Sequence, residues 1–244
     1  MTYCVAIKVN DGIVFASDSR TNAGVDYVRT YSKMHSYSWQ GDRSVVIMAS
    51  GNLATTQAVI NMIDHDLEDN KSRFNLKKAK HLYEIAHYIG KLNQEEQSQH
   101  TKAFKENRKA LEATFIVGGQ IGQQDDDIFL VYPEGNYITV SPETPYMQIG
   151  ETKYGKPILD RIINEETSLN DAARCALVSL DSTMRSNVSV GPPIELSIYT
   201  ANSLEEPQYM NIELSTPFFK DIQKRWAEGL HAAFKNLPKF DWEN

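Results

Sequence analysis

Cysteine is scarce in this chain, and that scarcity already excludes some classes of protein. Only two cysteines, Cys4 and Cys175, occur in 244 residues, too few for the disulfide framework of a small secreted scaffold. Both sit among apolar neighbours, as buried free thiols do. No apolar run approaches the roughly 20 residues that span a bilayer. The apolar start at residues 4–7 is too short for a signal-peptide core, and Asp11 soon interrupts it. Positive charge is not in excess either: 25 Lys and Arg face 32 Asp and Glu, a net charge of −7. That excludes a uniformly basic nucleic-acid binder. With 41% hydrophobic and 23% charged residues, the composition is globular, and the cytoplasm is the expected compartment.

Several catalytic motifs are missing as well. There is no G-x-S-x-G elbow, no G-x-x-x-x-G-K-[ST] loop and no H-E-x-x-H pair. Gly118-Gly119-Gln120-Ile121-Gly122 superficially resembles a phosphate loop, but a strand follows where a helix is required, so it reads as a turn. Asp125-Asp126-Asp127 lacks ligand spacing and reads as a solvated loop between strands. The six histidines (35, 65, 81, 87, 100 and 231) form no triad with Ser or Cys. Only His35 stands out, by its closeness to Lys33. There is no internal repeat, low-complexity tract or Pro/Gly/Ser linker. The expectation is one domain over residues 1–244, with no cofactor and no metal.

What is present is ordered by periodicity. Residues 3–9 alternate, Asn10-Asp11-Gly12 is a hairpin turn, and residues 13–16 return as a second strand. A polar loop over 21–26 leads to expected strand over 27–37, then a short buried strand over 44–49. Helical spacing follows: Leu53, Gln57, Ile60, Ile63 and Leu67 form one stripe, and Leu82, Ile85, Ala86, Ile89 and Leu92 a second. Residues 93–109 fit either helix or loop. Strands resume at 113–118, 128–132, 137–140 and 146–149. A helix is expected over 154–163, and another after Ser168-Leu169-Asn170-Asp171, a capping-box-like start. Residues 194–199 form a strand, and 217–237 an amphipathic helix with Phe218, Ile222, Trp226, Leu230, Ala233 and Phe234 on one face. Strands and paired helices in this order predict an α+β protein with helical layers on strand layers.

Four features near the start carry chemistry together. Thr2 follows Met1, so removal of Met1 would place an α-amine and a β-hydroxyl on one residue: a general base and a nucleophile. Asp18 closes the second strand within Ser17-Asp18-Ser19-Arg20. Lys33 lies in Tyr31-Ser32-Lys33-Met34, and Met48-Ala49-Ser50-Gly51 marks a strand-to-helix turn. Alone, each has an ordinary reading: N-terminal trimming, turn chemistry, an edge-strand charge.

In this order and approximate spacing, the four features resemble the catalytic series of proteasome-type β subunits, members of the N-terminal-nucleophile hydrolases. Longer motifs resemble the bacterial proteasome-related Anbu group. They include Phe15-Ala16-Ser17-Asp18-Ser19-Arg20-Thr21-Asn22-Ala23-Gly24-Val25-Asp26, Ile149-Gly150-Glu151-Thr152-Lys153-Tyr154-Gly155 and Asp181-Ser182-Thr183-Met184-Arg185-Ser186-Asn187-Val188-Ser189. The resemblance covers nearly the whole chain and implies a four-layer αββα sandwich. It implies Thr2 as nucleophile, its own amine as base, Lys33 lowering that amine's pKa by like-charge repulsion, and Asp18 orienting Lys33. A backbone N–H at Ser50 or Gly51 would stabilise the oxyanion, and Ser189 matches a supporting serine. Gly150-Glu151-Thr152 replaces the family's Gly-Ser-Gly, and the Asp expected before Ser189 has no match.

The implied partners are unfolded polypeptide substrate, further copies of the chain in a ring or spiral, and a separate unfoldase, since no ATP-binding motif is present. Nucleic acid and membrane are not expected partners. The alternatives are a silent structural or binding subunit with the same fold, favoured if Met1 is retained, or a non-peptidase amide hydrolase, whose cysteine version would need Cys4 exposed as the nucleophile.

Overall fold

The computed structural model describes residues 2–22, 28–100 and 108–243. The alternating start folds as β1 (Tyr3–Val9) and β2 (Gly12–Asp18), an antiparallel hairpin. Gly12 has φ +139°, and a Cβ there would come within 2.1 Å of the Tyr199 carbonyl oxygen, so the turn closes only on glycine. Next comes a two-stranded ribbon, β3 (Arg20–Asn22) with β4 (Val28–Thr30). Residues 23–27, most of the expected loop and the first residue of the expected strand, lie outside the described residues.

The strand expected over 27–37 is in fact two, because Tyr31-Ser32-Lys33 interrupts it before β5 (Met34–Trp39). The Ser32 hydroxyl lies 2.7 Å from the Met34 carbonyl oxygen, and the Lys33 N–H donates to a side chain on another strand. Both contacts compete with a strand ladder.

The chain continues through β6 (Arg43–Gly51) into α1 (Leu53–Glu68), where Asn52 is the N-cap and accepts from Thr55 N. Helix α2 (Leu82–His100) extends into the stretch that the sequence left open. Strand β7 (Ala113–Ile121) runs straight through Gly118-Gly119-Gln120, which is therefore strand and not turn. The glycines there are steric: a Cβ on Gly119 would lie 2.0 Å from the Ser44 carbonyl oxygen of the neighbouring strand.

Strands β8 (Asp127–Val131), β9 (Tyr137–Thr139) and β10 (Tyr146–Gly150) follow. The aspartate triplet is not simply a solvated loop, because Asp127 opens β8 and Asp126 is buried. After α3 (Lys156–Ile162) comes α4 (Leu169–Ser186), whose N-cap Ser168 accepts from Asp171 N. The chain closes with β11 (Ile194–Thr200), β12 (Gln208–Ile212) and α5 (Pro217–Lys235). Strand β12 was not expected from sequence, since its exposed Gln208-Tyr209 start lacks an apolar face.

Two five-stranded antiparallel sheets result, ordered β10-β1-β2-β11-β12 and β5-β6-β7-β8-β9. Cys4, Ala6, Ile13 and Phe15 of the first meet Met34, Val46, Met48 and Ile116 of the second in one buried layer. The outer face of the first sheet packs on α3, α4 and Phe219 of α5. The outer face of the second packs on α1 and α2. This is the α+β sandwich with layers αββα, and β1, β2, β5 and β6 run their ends toward one opening between the sheets.

Candidate active site

Thr2 stands immediately before β1, tied down by its backbone. Its carbonyl oxygen accepts the Glu151 N–H at 2.7 Å, while Tyr3 pairs with Gly150 of β10. Gly150 has φ +85°, and a Cβ there would come within 1.9 Å of that same oxygen. Only glycine lets the chain pass so close to Thr2.

Asp18, at the end of β2, is fully buried. Its Oδ1 accepts from the Tyr3 N–H at 2.9 Å and from Lys33 Nζ at 2.7 Å, and its Oδ2 accepts from the Gly191 N–H at 3.1 Å. Burial pushes this carboxyl up from its ordinary value, while the Lys33 ammonium and these N–H donors pull it back. Lys33 is 7% exposed and also donates from Nζ to the Arg20 carbonyl oxygen at 2.7 Å. A lysine buried this far is not the solvent-facing edge charge of its ordinary reading.

Thr2, Arg20, Lys33, Ser50, Gly51, Glu112 and Gly150 are among the residues around one cavity of about 650 Å³. Ser50 and Gly51 end β6 opposite Thr114 and Ala113. Gly51 has φ +113°, and a Cβ there would lie 2.3 Å from the Glu112 carbonyl oxygen. A second cavity of about 500 Å³ adjoins the first at Lys33 and Ala49 and reaches His35, Gln57 and Asp64. Burial lowers the His35 pKa against the opposing pull of Glu195 and Asp64.

This geometry belongs with a known family. The model for "Proteasome subunit" matches residues 2–199. The proteasome subunit beta 1 of Pyrobaculum neutrophilum is 23% identical over 201 residues, covering 82% of this chain and 90% of that protein. Among solved structures, Anbu (ancestral beta-subunit) from Yersinia bercovieri is 40% identical with a TM-score of 0.92, covering 98% of each chain. The helical assembly of the Anbu complex from Pseudomonas aeruginosa gives the same identity, TM-score and coverage. The chain belongs to the proteasome subunit family, in its Anbu branch.

Within that family frame, Ser189 stands apart from the cavity. It lies in the turn after α4, where its N–H donates to Asn187 Oδ1 at 3.0 Å, and its hydroxyl makes no hydrogen bond among the described residues. The same turn sends the Gly191 N–H to Asp18 and takes the Arg20 guanidinium on the Val188 carbonyl oxygen at 2.7 Å. Asn187 of the same turn donates from Nδ2 to Glu151 Oε2 at 3.1 Å, which joins the two segments where the sequence departs from the family pattern.

Sequence reasoning overlooked Glu195 as a neighbour of the site, and it met Glu151 and Gly191 within motifs without giving either a role. For Gly191 there was a signal, because it follows the Ser189 motif; a Cβ there would meet the Arg20 guanidinium at 2.3 Å. Cys4, by contrast, is completely buried, and burial raises its thiol pKa well above the ordinary range despite the nearby Lys33 ammonium.

Proposed function

We propose that this chain is a threonine-type peptidase of the N-terminal-nucleophile class, acting after removal of Met1. The observation that carries the reading is the shared cavity, in which Thr2 meets Lys33 and the Ser50-Gly51 backbone, with Asp18 pairing Lys33 from beneath.

The Thr2 hydroxyl attacks a peptide carbonyl while the freed α-amine takes its proton. The Lys33 ammonium, paired with Asp18, lowers the amine's proton affinity by like-charge repulsion, so the amine is a base near neutral pH. A backbone N–H of Ser50 or Gly51 stabilises the oxyanion, an effect worth about 3–4 kcal/mol in other acyl-transfer enzymes. The leaving amine takes the proton from the Thr2 ammonium. Water, deprotonated by the Thr2 amine, then attacks the ester; the acyl C–Oγ bond breaks, Thr2 Oγ takes the proton back from the amine, and the acyl half leaves as a carboxylic acid. Ser189 acts at one remove, through the turn that holds Asp18.

The substrate of this reading is unfolded polypeptide, delivered in the cytoplasm by a separate unfoldase to a chamber built from copies of this chain. The helical assembly of the Pseudomonas relative supports self-association. The outer half of α5 supports it too, because Leu230 and Phe234 are exposed there. Intact-mass analysis of the purified protein is expected to show loss of one Met, and Thr2→Ala to abolish peptide hydrolysis. Complete retention of Met1, or full activity in Thr2→Ala, would overturn the mechanism and leave a silent subunit.

A further inference from the structure

Glu195 is the residue of the intersheet layer that packing does not explain. Along β11, Ile194, Leu196 and Ile198 pack toward the helices, and Tyr199 belongs to the core between the sheets. A period of two therefore turns Glu195 toward the opposite sheet. It is only 5% exposed there. A carboxylate in such a layer is costly unless its oxygens are well supplied with donors.

They are. Oε1 accepts from the Ser32 hydroxyl at 2.7 Å and from the Tyr209 hydroxyl at 3.0 Å. Oε2 accepts from the Lys33 N–H at 3.2 Å and from the Ser17 hydroxyl at 3.4 Å. Two of the four donors belong to the link where the ribbon breaks from β5. On its other side, the Lys33 carbonyl oxygen accepts the Ala49 N–H at 3.0 Å. The Lys33 backbone is thus held between β6 of its own sheet and a carboxylate of the facing sheet.

We propose that Glu195 is a positioning residue for Lys33. Asp18 fixes the ammonium end of the side chain and Glu195 the backbone end. Together they set where Nζ stands relative to the Thr2 amine. This rests on the threonine-peptidase reading. A displacement of about 1 Å at such a group is enough for about a 100-fold loss of rate.

The test uses the full chain after Met1 removal, in its native assembly. A β-lactone that acylates N-terminal threonine counts working sites in one aliquot, and a fluorogenic peptide gives kcat and KM per such site in an untreated one. Glu195→Leu keeps the volume and removes all four acceptor contacts. Glu195→Gln can still accept from the Lys33 N–H and donate to the Ser32 and Tyr209 hydroxyls. E195L is expected to lose about 100-fold in kcat per titrated site with KM unchanged, and E195Q to recover most of it.

A purely structural role would instead lower the number of titrated sites and leave kcat per site intact. That result, or equal losses in both variants, overturns the proposal. If E195L does not fold, Ser32→Ala decides. It removes the hydroxyl's contact to Glu195 together with its local contacts to the Met34 N–H and carbonyl oxygen, so it is expected to lower kcat, and wild-type kcat there overturns the proposal. A wild-type protein that takes up no lactone fails the peptidase reading, and this inference with it. An active wild type with unaffected variants fails this inference alone.

Discussion

Near the start of the chain two side chains carry nucleophilic chemistry, and burial separates them. The Thr2 side borders an open cavity, whereas Cys4 has no exposed surface and a thiol pKa raised by burial. The thiolate is the reactive form, so iodoacetamide should add to neither Cys4 nor Cys175 in the native protein and to both in guanidinium, as mass spectrometry will read. A native Cys4 adduct that stops hydrolysis would revive the cysteine alternative. The Asp18–Lys33 pair makes a second residue-scale prediction. Asp18→Asn removes the charge that holds the Lys33 ammonium in place, so it should lower kcat for peptide hydrolysis by about 100-fold.

Since burial holds the Asp18 carboxyl above its ordinary value, the folded state binds this proton more readily than the unfolded chain. That contribution to stability is present below the ordinary carboxylate range and is lost as pH rises through the folded value. Hydrolysis needs the ionised pair, so its acid limb is expected above the pH of an exposed aspartate. Thr2, Asp18 and Lys33 were legible because their order along the chain is itself informative. Glu195 was not, because one acidic residue in an alternating strand normally marks a solvent face, and only the second sheet turns that face inward.

At the scale of elements, the strand ends aim the site. Gly51 and Gly150 each pass a neighbouring backbone closely, in conformations that L side chains rarely adopt. Gly150→Ala would push Thr2 away from β10, so it is expected to fold but to lose most of its acylation by a β-lactone. Strain of this kind costs about 1–3 kcal/mol, which a thermal melt would show as a modest drop. A variant that reacts at the wild-type rate would mean that Thr2 does not depend on this contact.

Most elements could be read from the sequence because their buried faces repeat with period two or 3.6. The misreadings have local causes. The Ser32 hydroxyl and the Lys33 N–H spend their hydrogen bonds outside the ladder and split a strand, and the glycines of β7 permit close strand approach where they suggested a turn. Strand β12 is held by pairing with β11 more than by an apolar face of its own.

For the whole molecule, α5 divides into a docked half and a bare half. Phe219 is buried and Ile222 packs on the same core, while Gln223 reaches Asp181 of α4. Farther on, Leu230 is 52% exposed, Phe234 74% and Trp242 77%. The amphipathic period was visible in the sequence. It placed Phe218 on the buried stripe, yet Phe219 occupies the core and Phe218 is exposed, because the docked face runs through Phe219 and Ile222. Exposed apolar groups on this scale mark interaction surfaces in soluble proteins, and the self-association proposed above would seat a second copy of this chain there. Leu230→Glu with Phe234→Glu leaves the buried core untouched, so the melting temperature of the isolated subunit should barely change. The assembly should instead fall to small species by light scattering, and peptide hydrolysis should fall with it if the chamber organises the site. An unchanged mass would place the contact between copies elsewhere and leave the bare half of α5 to a different partner.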